Sequence, residues 1–373
     1  MNEHEFHDLL RGWFREEAPR EAPDWMIQQV LDRTEGADRR ASTHVWLPPR
    51  QLVMALLVLG LLLIGGLAAL SGILPRPTPP DPTPRAQVMG TIASGVGSTA
   101  VAHGPGGIWV ASSSLPGAIL LDPETGDTLA EAQTFEAPPA SVSRHPLAAD
   151  VISAFDSIWT VDDEFDTVTR IDPVAARRVT TIEVGPSPRA AVPAAGAVWV
   201  LSPLNGVVTR IDPETGGATQ TNLPRTAPTG DGRIAGNEDA VWVAIGDELM
   251  RLDPETAQVV STVSIGADVS ALAVGEAVWA ASALGLTRVD PATGQVGATI
   301  GVGDSPSAIA LAGDLVWVAD SRDAILRAID PETGTVVERL AVGTGTTDIS
   351  VSGSSLAVLN QVDRTLTLIR LAD

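Results

Sequence analysis

Cysteine, lysine and tyrosine are all absent from this chain of 373 residues. The missing cysteine excludes disulfides, thiolate metal sites, a cysteine nucleophile and a lipoprotein anchor, without assigning a compartment. With no lysine, positive charge rests on arginine alone: 24 cationic residues stand against 46 acidic ones, for a net charge of −22. A chain this acidic repels phosphate backbones, which argues against nucleic acid as a partner. Aromatic residues make up only 4%, so the core must come largely from Ala, Val, Leu and Ile. No GxSxG elbow, P-loop or HExxH stretch occurs; the chemistries those motifs position are unsupported. Turn formers are plentiful instead. Gly and Pro number 35 and 28 without a collagen period, which points to a chain of many short strands.

Three segments precede the bulk of the sequence. Residues 1–50 form a short unit in which Phe6, Leu9, Leu10, Trp13 and Phe14 fall on one helical stripe. A second helix is expected from Asp24, after Pro23, with Ile27, Val30 and Leu31 apolar. Two such helices either pack on each other or dock on a cytosolic protein partner; a weakly ordered tail is the plain alternative. Residues 51–74 follow, and the stretch LVMALLVLGLLLIGGLAALSGIL at 52–74 carries no charge. At about 1.5 Å per residue it spans roughly 34 Å, enough for one membrane crossing. Arg39, Arg40 and Arg50 before it outnumber Arg76 and Arg85 after it. This predicts a cytoplasmic N-terminus and an extracytoplasmic remainder. The run PRPTPPDPTPR at 75–85 is a stiff, extended spacer of roughly 30 Å.

From residue 86 the chain repeats itself. Tryptophan recurs among Val, Ile and Ala at Trp109, Trp159, Trp199, Trp242, Trp279 and Trp317, in steps of 50, 40, 43, 37 and 38 residues. Ala357 stands where a seventh Trp would fall. About thirteen residues after each Trp comes an Asp-Pro turn, at Asp122, Asp172, Asp212, Asp253, Asp290 and Asp330. A period near 40 with short alternating runs is the mark of a β-propeller, four strands (a to d) per blade. The Trp of strand b is then a packing wedge between blades.

In DPETG the Asp side chain takes backbone N–H groups just ahead, Pro sets φ, and Gly closes the c–d hairpin at positive φ. Ala176 and Ala257 replace that Gly, so those two turns are expected to close differently. Six full strand sets start near 98, 149, 188, 230, 268 and 306, and a seventh near 346 lacks strand d. AQVMGTIAS at 86–94 reads as the missing strand. Residues 86–373 number 288, about 41 per blade for seven blades. The predicted fold is therefore all-β: a seven-bladed propeller whose N-terminal strand closes the last blade, preceded by a short α-helical segment and one transmembrane helix.

RIDPETG, VWVA and VGDSPSAIAL resemble the YVTN-type propeller repeats of bacterial surface proteins. GPGGIWVASSS at 104–114 is similar to the repeat of the virginiamycin B lyase family of seven-bladed propellers. The resemblance covers about three quarters of the chain. The lyase likeness implies a histidine base, glutamates and a divalent metal at the channel mouth. Only His103 and His145 lie in the propeller, and no His occurs in the last blades, so no catalytic residue carries over. His103 ends the first strand a, next to a Gly-rich turn, and reads as a turn residue rather than a base. The overall plan also resembles membrane-anchored anti-sigma-like regulators, although His4 and His7 lack the Cys of their zinc motif.

Propellers usually bind through the face built from b–c and d–a connections. Here the b–c candidates are Asp162, Asp163, Glu164 and Asp166; Asp320, Arg322 and Asp323; and Asn360, Asp363 and Arg364. Arg144 and His145, in the insertion at 136–150, would form a flap over the same face. Four carboxylates within five residues suit a divalent cation or a basic partner, or simply a solvated loop. No other cofactor is expected. The leading expectation is a non-catalytic, single-pass, extracytoplasmic propeller that binds a protein or small ligand. A metal-dependent lyase or lactonase, an anti-sigma-like regulator with a propeller sensor and a structural surface module are the alternatives.

Overall fold

The computed structural model describes residues 85–114, 117–134, 148–224 and 231–372. All of them fall within one of the two units of the chain, Pro82–Asp373. The expected N-terminal helices, the apolar run, most of the proline-rich spacer and the 136–147 part of the insertion lie outside the described residues.

β1 (Ala86–Ala93) opens the domain. Blade 1 follows as β2 (Ser98–Gly104), β3 (Gly107–Ser112), β4 (Gly117–Leu121) and β5 (Thr128–Gln133). Blade 2 is β6 (Ala148–Ala154), β7 (Ser157–Asp162), β8 (Thr167–Asp172) and β9 (Arg177–Glu183). Blade 3 is β10 (Ala190–Ala194), β11 (Ala197–Ser202), β12 (Val207–Ile211) and β13 (Ala218–Asn222). Blade 4 is β14 (Gly232–Gly236), β15 (Val241–Ile245), β16 (Glu248–Leu252) and β17 (Val259–Ser264). Blade 5 is β18 (Val269–Val274), β19 (Val278–Ser282), β20 (Gly285–Val289) and β21 (Val296–Ile300). Blade 6 is β22 (Pro306–Ala312), β23 (Leu315–Asp320), β24 (Ile325–Ile329) and β25 (Val336–Ala341). Blade 7 adds β26 (Thr346–Ser352), β27 (Ser355–Asn360) and β28 (Thr365–Leu371).

Each blade is one antiparallel four-stranded sheet, and the last has the order β1-β28-β27-β26. The N-terminal strand thus supplies the outer edge of the final blade, with Ala86 opposite Leu371 and Ala93 opposite Thr365. A single bulge sits between Val88 and Gly90. Closing the ring this way covers an edge that would otherwise template aggregation.

Burial follows position in the blade. The b strands are sealed: β7 and β11 are buried at every residue. The outer strands stay wet, as in β13 and β21, where Thr, Gln and Gly replace apolar residues. Five of the blade tryptophans are 0% exposed and Trp279 is 3% exposed. Trp109, Trp159, Trp199 and Trp317 each donate the indole N–H to a carbonyl near the preceding a–b turn, at 3.0–3.3 Å. Three of the six blade tryptophans meet strand c arginines: Arg170 lies 5.4 Å from the Trp159 ring centre, Arg210 6.0 Å from Trp199 and Arg288 5.9 Å from Trp279. Arg170 then reaches the next blade, donating to the Pro213 carbonyl at 2.7 Å. The arginine of RIDPETG therefore has a packing duty.

The Asp-Pro turns behave as the sequence predicts. In Asp212, Oδ1 accepts the N–H groups of Glu214 and Thr215, both at 2.9 Å, and the other five turns repeat the pattern. These backbone donors hold the Asp172, Asp212, Asp253, Asp290 and Asp330 carboxyls below their ordinary range. One expectation is corrected. Ala176 and Ala257 do not change the turn; they adopt its positive φ, 47° and 59°. The hairpin register imposes the left-handed conformation, and the alanines accept the strain.

Candidate functional site

The seven inner strands β2, β6, β10, β14, β18, β22 and β26 line the propeller axis. Apart from His103 and scattered Ser and Thr their pattern is small and apolar, and three carboxylate or guanidinium side chains stand at one level: Asp150, Arg233 and Asp348. They face Val161, Ala244 and Leu359 across the a–b ladder, the same register in each blade. The two acids share one arrangement. Asp150 accepts the N–H of Val151 with Oδ1 and of Ala191, in the next blade, with Oδ2, both at 2.8 Å. Asp348 accepts Ile349 and, across the closing seam, Val101, both at 2.8 Å. Each carboxylate thus clips two inner strands together.

Burial raises the Asp150 carboxyl to about 8, helped by the charge of Asp348 and opposed by the two amides. Burial raises Asp348 to about 6. Arg233 makes the same kind of inter-blade clip with opposite polarity. It donates Nε to the Ser270 carbonyl at 2.6 Å and a terminal nitrogen to the Gly232 carbonyl at 2.9 Å. His103 lies at the end of β2, as expected, beside the a–b turn. Its backbone N–H donates to Ser350 Oγ at 2.8 Å, and its ring Nδ1 lies 3.0 Å from the same oxygen. Burial lowers its pKa, which favours the neutral ring.

The b–c and d–a connections meet on one face, as expected. Ser187, before β10, donates to Asp166 at 2.7 Å, and Thr344, before β26, donates backbone and hydroxyl to Asp363 at 2.7 and 2.6 Å. Many of the sequence candidates on this face have local work. Asp162, Asp320 and Asn360 end their b strands and are buried, at 5%, 1% and 0% exposure. Asp162 Oδ1 caps the b–c turn through Glu164 and Phe165. Asp320 does so through Arg322 and Asp323, and its Oδ2 also accepts Ser305. Asn360 holds Thr346, Thr365 and Thr367. Ser112 and Ser202 stand at the same blade position and reach the d–a loop carbonyls of Val96 and Gly185, both at 2.8 Å. The shared task is to lace the b–c turn to the loop before it.

The two equivalent aspartates titrate in opposite directions. Burial lifts Asp162 to about 6, with Asp163 and Glu164 adding to it and two amides opposing. At Asp320 burial is outweighed by three amides together with Arg327, and its carboxyl lies below the ordinary value.

Of the remaining candidates, Asp163 is half-buried and pairs with Arg189 at 3.2 Å, with burial raising its pKa. Asp323 pairs with Arg327. Arg322, Asp363 and Arg364 are exposed. Asp166 and Arg364 hold φ of 56° and 58° at the turn position that Gly206 fills with 61°. Arg144 and His145 lie outside the described residues. Among the described residues, no three His, Asp or Glu side chains are gathered closely enough to hold a metal ion.

Where the axis opens on this face there is a cavity of about 470 Å³, lined among others by Arg233, Asp268, Ser270, Asp304, Ser321 and Thr347. These come from the inner strands of blades 4, 5 and 7 and the loops of blades 5 and 6, so no local window of sequence contains them. Arg233, Asp268 and Asp304 were not among the sequence candidates. For Arg233 a signal existed: a charge interrupts the inner strand nine residues before the b-strand marker, at 150 before Trp159, 233 before Trp242 and 348 before Ala357; Asp268 and Asp304 had none. A second cavity, about 550 Å³, lies at the seam of blades 7 and 1 on the opposite face, beside Met89, His103, Glu124 and Arg370.

No protein-family model matches the chain, and neither does any curated protein. Solved structures do match, 1284 chains of them, the breadth that a common architecture produces. One is Kuenenia stuttgartiensis hydrazine synthase, with a TM-score of 0.61 and 14% identity, over 74% of this chain and 96% of that one. At that identity the likeness is one of fold alone.

Proposed function

We propose that this protein is a binding module: a propeller that takes a ligand or a protein segment at the axial mouth of its b–c/d–a face. The observation that carries the reading is the mouth cavity. Loops of blades 5 and 6 and inner strands of blades 4, 5, 6 and 7 converge there around a partly buried arginine and two exposed aspartates. Rigid blades hold these groups, which lowers the ordering cost of binding.

The apolar run at 51–74 and the arginine bias around it support attachment to a membrane by a single span, with the N-terminus in the cytoplasm. The chain enters the propeller at Ala86, opposite Leu371 at the end of a c strand. The first propeller strand thus starts on the face opposite the mouth. Residues 1–50 would then be free to contact a cytosolic partner.

The test is a ligand screen on the full-length chain read by thermal shift, repeated with Asp268→Asn/Asp304→Asn. A ligand at 100 times its Kd stabilises by about 2.7 kcal/mol. A hit whose shift survives the double substitution unchanged would place binding elsewhere.

A further inference from the structure

We propose that the mouth cavity binds a small zwitterion, an amino acid or a short peptide, with its carboxylate on Arg233 and its ammonium group on Asp268 and Asp304. The inference rests on the mouth being the binding site and adds the chemistry of the ligand.

Arg233 supports the anionic half. A guanidinium carries five N–H donors in a fixed fork. Two are taken by the carbonyls of Ser270 and Gly232, at 2.6 and 2.9 Å. No carboxylate among the described residues pairs with it within 4 Å, and its remaining donors are not sealed away from solvent. The backbone clips fix the plane of the fork, and a fixed fork is the geometry that takes a carboxylate through two parallel bonds. Burial lowers the Arg233 pKa, opposed by the charge of exposed Asp231 nearby, the sign of a cation held in a desolvated place. A ligand carboxylate would relieve that cost.

The rest of the lining selects against a simple anion. Asp268 and Asp304 are exposed and line the same cavity. With Arg233 they give the lining one positive and two negative charges. A phosphate or a dicarboxylate would meet those acids, and a protein of net charge −22 repels multivalent anions at long range. A bare cation would meet the arginine. A ligand with both charges satisfies both ends, and the hydroxyls of Ser270, Ser307 and Ser321 on the wall, whose protons go to protein carbonyls, are left to accept an N–H between them. The volume, about 470 Å³, lies within the usual range for small-molecule sites.

The experiment titrates the full-length chain calorimetrically with L-alanyl-L-alanine, its C-terminal amide and its N-acetyl derivative, and with D-glucose as a neutral polyhydroxyl probe. Saturable binding of the dipeptide is expected, with each blocked form weaker by at least about tenfold, the loss of one charge-assisted hydrogen-bonded contact. In Arg233→Gln, dipeptide and amide should bind equally. Asp304→Asn, which touches no inter-blade clip, should narrow the gap between the dipeptide and its N-acetyl form; it keeps the test valid if the first variant fails to fold. Equal binding of free and blocked dipeptides overturns the zwitterion assignment. So does glucose binding without dipeptide binding; the mouth stays the site only where Asp304→Asn weakens that glucose binding. Dipeptide binding that neither variant alters overturns the mouth itself.

Discussion

Trp199 and Trp242 occupy the same place in neighbouring blades and both are 0% exposed, yet their indole nitrogens differ. Trp199 donates to the Ala194 carbonyl at 3.0 Å. Trp242 Nε1 is buried with no hydrogen-bond partner. The cause is the a–b turn of blade 4. It runs from Asn237 to Ala240, and the Asn237 carbonyl, five residues before the Trp, instead accepts the N–H of Ala195 from blade 3 at 3.0 Å. Substituting Phe removes a similar apolar surface at both sites, so that loss largely cancels in a comparison.

What remains is polar, with the Arg210 contact on the Trp199 ring adding to the loss there. Trp199→Phe forfeits a hydrogen bond worth about 1 kcal/mol, whereas Trp242→Phe deletes an unsatisfied donor whose burial costs about 1–3 kcal/mol. Trp199→Phe should therefore be the more destabilising by about 2 kcal/mol or more. With about 2.1 cal/mol/K per residue over a domain of this size, that is a Tm gap of roughly 3 °C. Urea and thermal unfolding followed by far-UV circular dichroism would measure it. A Trp242→Phe variant at least as damaged as Trp199→Phe would refute the reasoning.

Other outcomes follow from the same structure. Asp150 and Asp348 have folded pKa values of about 8 and about 6, above their unfolded values. The folded chain therefore holds protons that the unfolded chain has released, and their stabilisation fades as pH rises from about 4 through about 8. Tm should fall across that range, and Asp150→Asn should flatten the slope; a Tm that climbs from pH 5 to 8 contradicts it. The turn aspartates have the opposite sign, because their depressed carboxyls contribute stability that is lost on acidification below about 4.

Ala176→Gly should stabilise by up to about 1 kcal/mol by relieving a positive φ. Ala257→Gly should gain nothing, because its methyl is buried at 1% exposure. Equal gains at both sites in chemical denaturation would show that strain outweighs packing. Deleting residues 86–93 leaves blade 7 with three strands, and unfolding should lose its single sharp transition. An unchanged melting curve would mean that β1 does not close the ring.

Much of the fold was legible because a propeller writes it repeatedly. Trp in strand b, Asp-Pro after strand c and a period near 40 state the same hairpin geometry blade after blade, and the unpaired AQVMGTIAS at the start could belong only where a strand was missing. The strand starts at 98, 306 and 346 match the predicted ones, and those of the other four blades lie within two residues. Local chemistry also decided the Asp-Pro turns, since a side chain bonding amides two and three residues ahead needs no distant partner. The loop face was legible as a face.

The use of its side chains was not. Asp162 and Asp320 look like exposed acids in DDEFD and DSRD, but burial and neighbouring amides make them caps, and different surroundings push their pKa values apart. Ala176 and Ala257 looked like departures, yet the paired strands force the turn on them. Arg233, Asp268 and Asp304 are separated by dozens of residues and meet only because the ring brings blades 4, 5 and 6 to a common axis. Repetition along the chain determined the blades. Closure of the ring decided which side chains share the mouth, because only a closed circle of blades turns a sequence period into a place.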